Sequence, residues 1–184
     1  MATTLPGTNI EVSTLKAGTS RTLFDGLFAA GGISLSQVAV MTGLEPHVIQ
    51  NWVKRGFVSS PVRRQYSKNQ FSRIVIINML RESLQLEHIC ETLAYINGDL
   101  TDELDDIISD SELYHTYTDM IADGGGPTLN REIAQQMTEQ TAAAYPEPFP
   151  GAGKRLAKTL QVMAYAHGAA LARQAAEEIL AQLR

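Results

Sequence analysis

The sequence predicts a mainly α-helical fold: a helix-turn-helix with a short or stunted β wing, followed by a helical C-terminal region. Three observations predict it. Residues 35–57, LSQVAVMTGLEPHVIQNWVKRGF, hold two stretches of helical apolar period around a glycine and a proline. The segment VSSPVRRQY that follows is too short and too rich in Pro and Ser for a helix, yet long enough for a small β-turn or a stub of hairpin. Beyond it, nearly every segment repeats its apolar residues with a period near that of a helix and is stopped by Gly, Asn-Gly or Pro. A hydrophobic content of 44% over 184 residues supports a real core.

Taken in order, residues 1–19 are rich in Thr, Gly and Ser and lack a sustained period, so an extended or mobile arm is expected, with at most one short strand between Asn9 and Leu15. Ser20 is placed to cap a helix with Leu23, Phe24, Leu27 and Phe28 on one face, ended by Gly31-Gly32.

In the helix-turn-helix, Leu35, Val38 and Ala39 take the buried side of the first helix, and Gly43 supplies the positive-φ turn residue. Pro46 suits the first position of the second helix, where its missing N–H costs nothing. Val48, Ile49 and Trp52 then share one side, and Trp52 is expected in the core. His47, Gln50, Asn51 and Lys54, spaced i, i+3, i+4 and i+7, form a polar stripe on the other. Such a stripe is either a solvated face or one that reads DNA. Gln and Asn pair bidentately with adenine, and Lys and His reach guanine or phosphate.

After the turn segment, with Arg63 and Arg64 on its far arm, Ser67 and Gln70 form a capping box. The helix behind it carries Phe71, Ile74, Val75, Asn78 and Met79 on an apolar face, and a shorter helix from Leu86 to Ile96 is stopped by Asn97-Gly98.

The order SQVAVMTGLEPHVIQNWVKRGF, then RRQYSKNQFSRIVIINMLRESLQLEHICETL, resembles the MerR-type winged helix. With YINGDLTDELDDIISDSELY, the span from about Leu35 to Tyr114 resembles an uncharacterised bacterial family of MerR-like proteins. One departure stands out: MerR-type wings carry a longer hairpin with a Gly-containing tip, whereas only eight residues separate Phe57 from Tyr66. The resemblance implies a DNA-binding transcriptional regulator that dimerises through a long C-terminal helix. In that reading the helix from Pro46 to Lys54 enters the major groove of double-stranded DNA with His47, Gln50, Asn51 and Lys54, while Ser36, Gln37, Arg63, Arg64 and Lys68 grip the backbone.

The net charge of −5 conceals an asymmetry that this reading needs. Residues 1–81 hold nine Lys/Arg against three Asp/Glu, residues 82–130 hold twelve Asp/Glu and no Lys/Arg, and residues 131–184 hold six basic against five acidic residues. A basic lobe is thus followed by an acidic one, and the local charge sets the field that phosphates meet. The acidic lobe can also fold back on the basic one and hold DNA affinity down. Asp99 to Glu112 alone carries seven carboxylates, which suit either a solvated connector or a divalent-metal site, although EF-hand spacing is absent.

A helix from about Ser111 to Ala122 is ended by Gly124-Gly125-Gly126, and another from Leu129 to Ala144 is capped by Thr128. Pro146, Pro148 and Pro150 then force a break. The last helix, Lys154 to Arg184, aligns Leu156, Leu160, Met163, His167, Leu171, Ala175, Ile179 and Leu183 as an apolar face that needs a partner helix. The expected organisation is therefore an arm (1–19), a winged helix-turn-helix (20–98), an acidic helical region (99–150) and a long packing or dimerisation helix (151–184).

Catalysis finds no motif. His47, His88, His115 and His167 fall on separate segments, no nucleophile elbow, P-loop or dinucleotide fingerprint occurs, and no metal or cofactor is expected. Cys90 reads as a small buried hydrophobe rather than a sensor thiol, and a single cysteine fits a reducing cytoplasm. Neither a signal peptide nor a membrane span is expected. The competing reading is a protein-interaction or regulatory module that keeps the scaffold without binding DNA, which the short wing and overall acidity favour.

Overall fold

The computed structural model describes residues 3–98 and 107–183. In chain order it contains β1 (Thr3–Thr4), β2 (Glu11–Val12), α1 (Thr19–Leu27), β3 (Ile33–Ser34), α2 (Leu35–Thr42), α3 (Pro46–Lys54), β4 (Gln65–Tyr66), α4 (Lys68–Leu80), α5 (Leu86–Asn97), α6 (Asp110–Asp123), α7 (Arg131–Ala144) and α8 (Ala152–Gln182). The protein is mainly helical, with two small antiparallel sheets, β1 with β2 and β3 with β4.

Helix α4 is the centre of the molecule. Its capping box forms as expected, with the Ser67 hydroxyl accepting from the Gln70 N–H at 3.2 Å and Gln70 Oε1 accepting from the Ser67 N–H at 2.9 Å. The expected one-sided face does not describe it, because every residue from Phe71 to Ile77 is buried. Packed by α2, α5, α6 and α8, it has no side left for water. One continuous core runs from Leu5 to Ala166.

The amino-terminal segment, expected as a mobile arm, is packed onto that core. Leu5 is fully buried, the Tyr114 hydroxyl donates to Pro6 O at 2.8 Å, and the Asn78 amide donates to Gly7 O and Thr42 O. Gly7, at φ 73°, lies so close to α4 that a Cβ there would stand 2.4 Å from Val75 O. The strand expected between Asn9 and Leu15 shrinks to two residues of β2.

Two caps differ from expectation. Helix α1 starts from Gly18, and Ser20 is buried inside it, where its hydroxyl contacts His115 Nδ1 at 2.8 Å and Thr118 Oγ1 at 2.7 Å. Helix α7 is capped by Asn130, which accepts from Glu132 N and Ile133 N, rather than by Thr128. The Thr128 hydroxyl instead accepts from Asn130 N, holding the capping residue in place immediately before the helix.

Helix α8 divides the expected apolar face in two. Leu156, Leu160, Met163 and His167 are buried, whereas Leu171, Ile179 and Leu183 are 44%, 60% and 76% exposed. No described helix is long and apolar enough to cross a membrane.

Candidate nucleic-acid interface

The corner formed by α2 and α3 follows from local chemistry. Ser34 caps α2 in a second capping box: its hydroxyl accepts from Gln37 N at 3.3 Å and its own N–H donates to Gln37 Oε1 at 2.8 Å. The Thr42 hydroxyl turns back to Val38 O at 2.7 Å, and Gly43 ends the helix at φ 69°. Any side chain at position 43 would be strained by that φ and would also meet Asn9, whose amide stands 2.7 Å from an added Cβ. Pro46 then opens α3.

The apolar side of α3 closes the corner, with Ile49 fully buried, Trp52 2% exposed and Leu44 5% exposed. Truncating Ile49 or Trp52 to Ala would cost on the order of 2–5 kcal/mol, which fixes how firmly the helix is held. On the opposite side His47, Gln50, Asn51 and Lys54 are all exposed. Among the described residues none of these four side chains has a hydrogen-bond or ion-pair partner. Lys54, in the last turn of α3, also sits at the end of the helix dipole that favours a cation.

The wing is a two-residue hairpin. Val62 N donates to Gln65 O at 3.1 Å and Gln65 N donates to Val62 O at 2.9 Å, so Arg63 and Arg64 occupy its tip rather than its far arm. Both have left-handed backbone, at φ 51° and 64°, and both are exposed. Positive φ at both tip positions is the type I′ form of a two-residue hairpin, a conformation that costs residues with a Cβ about 1 kcal/mol or more each. The wing is tied to the corner through β4, which pairs with β3 immediately before α2. It is also held by the Gln70 amide, which reaches Ser59 O and Ser60 O at 3.0 and 2.9 Å.

The remaining predicted contacts are less free. Ser36 and Gln37 are exposed at the start of α2, but Gln37 already spends its amide oxygen on the cap. Lys68 is ion-paired with Asp25 at 2.9 Å.

Sequence reasoning missed two arginines here. Arg55, just past α3, pairs with Glu87 of α5 at 2.5 Å and lies over the Phe57 ring, 4.4 Å from its centre. Its guanidinium, with the backbone N–H of Glu87 itself as the larger contributor, holds the Glu87 carboxyl below its ordinary pKa. Arg73 is 4% exposed; it donates to Phe57 O at 2.7 Å and to Asp110 at 3.1 Å, and Asn97 donates to the same carboxylate at 3.0 Å. The signal for Arg73 was a cation inside an apolar run, FSRIVIINML.

The described part of the acidic region also contacts α1 and the residue that opens it. Glu112 binds Arg21, whose guanidinium lowers the carboxyl pKa, and Asp119 accepts from Gly18 N at 2.8 Å. None of these partners belongs to the α3 stripe. Asp99 to Asp106 lie outside the described residues. Among the described residues no three His, Cys, Asp or Glu side chains converge to hold a metal. Cys90 is half-buried rather than buried, and burial pushes its thiol pKa up.

Residues 33–117 match a family model described as a domain of unknown function (DUF1836), nearly the span Leu35 to Tyr114 singled out by the sequence. A protein of Bacillus subtilis (strain 168) described as "Uncharacterized protein YkrK" is 29% identical over 126 residues, which cover 62% of this chain and 54% of the relative. The chain thus spans about half the length of that relative. No solved structure matches. These likenesses support kinship with an uncharacterised bacterial family, and neither description names an activity.

Proposed function

We propose that this chain is a DNA-binding transcriptional regulator of MerR-like winged-helix type, in which α3 enters the major groove and the Arg63-Arg64 tip grips the backbone. The observation that carries the reading is the α3 stripe: four groove-competent side chains, all exposed and without a partner among the described residues, on a helix anchored by a buried Ile and Trp. An α-helix with its side chains is about 10–12 Å across, a fit for a major groove about 12 Å wide, and the nine residues of α3 give about two and a half turns to lie in it. Two arginines kept in a costly conformation at an exposed tip support it further, since a fold selected for stability alone would carry Asn-Gly there. The bare end of α8, with Ile179 and Leu183 uncovered, supports a homodimer formed through the C-terminal helices.

Selection from a random oligonucleotide pool at near-physiological salt tests the reading, followed by binding curves at two salt concentrations. Gln50→Ala and Asn51→Ala should each cost about 1–3 kcal/mol on the selected site and relax base choice. Arg64→Ala should weaken all sequences alike and flatten the salt slope by about one unit. The selected site should hold two inverted half-sites if the protein binds as a dimer. Enrichment of no sequence, with no salt-dependent binding to random duplex, would rule out this function.

The second reading, an interaction module that has lost DNA binding, is favoured by the pairs Lys68–Asp25 and Arg55–Glu87, which neutralise part of the basic lobe within the chain itself. It predicts intact folding and no affinity for duplex at low salt.

A further inference from the structure

Helices α7 and α8 form an antiparallel hairpin: Gly168 of α8 lies against Leu129 just before α7, and Gly153 near the start of α8 lies against Ala142 near the end of α7. Small residues, among them Ala134, Ala142 and Ala164, let the two helices approach closely along one seam. Beside the seam runs a half-open groove of about 1000 Å³. Nothing in the sequence or in the reading of α3 assigns it a role.

The chemistry of the groove is one-sided. Its apolar lining is the buried Ala142 and half-buried Ala157 at the floor with the exposed Ala143 beside them, and two half-buried rings, Tyr145 and Tyr165, line it as well. The Thr138 hydroxyl is turned back to Ala134 O at 2.9 Å and offers no proton to a ligand. Three cations line the groove: Arg131 at the start of α7, and Lys154 and Lys158 one helical turn apart on α8. None of the three has an ion-pair partner among the described residues.

The two carboxylates present do not balance them. Glu147 Oε1 accepts from the N–H groups of Gly151 and Gly153 at 2.8 and 3.0 Å, which holds it at the start of α8, and three cations against two carboxylates leave the groove a net positive charge. Glu139 accepts from the Gln135 amide at 2.8 Å. A cleft of this size with an apolar floor, aromatic sides and a few convergent charged groups has the makeup of a small-molecule site.

We propose that the α7–α8 groove binds a small aromatic anion, its ring against the alanine floor and the tyrosines, its carboxylate or phosphate on Lys154 and Lys158. The site is independent of DNA binding and stands whether or not α3 reads a groove. Benzoate, phenyl phosphate, phenol, benzylamine and inorganic phosphate are each titrated into the full chain while the ring signals of Tyr145 and Tyr165 are followed by NMR.

Benzoate or phenyl phosphate should shift both rings saturably in the millimolar range, and the tighter of the two names the head group. The double variant Lys154→Gln/Lys158→Gln should weaken that binding about tenfold or more. Both lysines are exposed and have no ion-pair partner among the described residues, so unchanged amide signals outside the groove will show that the variant is folded. The proposal is overturned if neither anion gives a saturable shift, if phenol and benzylamine bind as tightly as the anions, or if the double variant binds like the parent. Inorganic phosphate binding as tightly as phenyl phosphate, without moving the tyrosine signals, would likewise dispose of the aromatic site.

Discussion

Arg73 shows what one residue can hold together. Its guanidinium joins the carbonyl of Phe57, just past α3, to Asp110 at the start of α6, and Asn97 at the end of α5 braces the same carboxylate. The side chains of Arg73 and Asp110 are 5% and 12% exposed, so removing one charge leaves the other buried. Arg73→Met should therefore lower stability by about 3–5 kcal/mol, and Arg73→Met with Asp110→Leu should recover part of the loss. Urea unfolding of both variants checks this; a single variant as stable as the parent would show that the pair is not structural. An arginine inside FSRIVIINML was legible as a cation needing a partner. Which of twelve carboxylates between residues 82 and 130 would meet it was not, because that contact closes across more than thirty residues.

Among elements, the Arg63-Arg64 hairpin sets stability against the proposed function. Arg63→Asn with Arg64→Gly places the preferred residues at a tip that needs positive φ. The change should stabilise the fold by about 1–2 kcal/mol while flattening the salt slope of DNA binding by up to about two units. Thermal unfolding and binding at two salt concentrations read the two effects separately, and a destabilised variant would contradict the strain argument. The sequence foresaw a truncated hairpin but set the arginines on its arm, since the cross-strand bonds of Val62 and Gln65 fix the register and composition does not. Helix α8 gives the same lesson. Its stripe was legible as one face from Leu156 to Leu183, but periodicity marks a face and not its neighbour, and the first half alone is covered here.

At the scale of the molecule, two histidines far from α3 tie stability to pH. His115 and His167 are buried, and desolvation first of all lowers both pKa values from the ordinary 6.5 to about 4, with Arg21 adding its repulsion at His115. Folded, they stay neutral where the unfolded chain takes up protons, so stability should fall as pH drops from about 6.5 to about 4. The loss amounts to at most about 3 kcal/mol for each. The Glu112 carboxyl, held low by Arg21, works the other way: its contribution is present above its ordinary value and lost only as pH falls through its lowered one. Urea midpoints at pH 7 and pH 5 should therefore differ already, before the carboxylates titrate. Replacing both histidines with Gln should flatten that window, and a flat profile in the parent chain would refute the burial argument.

Capping boxes, a turn glycine, a first-turn proline and apolar periodicity are local, reaching no further than four residues, and so the sequence by itself determined the α2–α3 corner, both capped helices and the polar stripe on α3. Tertiary structure alone decided that the amino-terminal segment docks on α4, that Ser20 lies inside a helix beside His115, that Lys68 is spent on Asp25, and that a cationic groove opens between α7 and α8. Each of those depends on which surfaces meet after chain segments far apart in sequence have collapsed onto one core, and no local propensity encodes that choice.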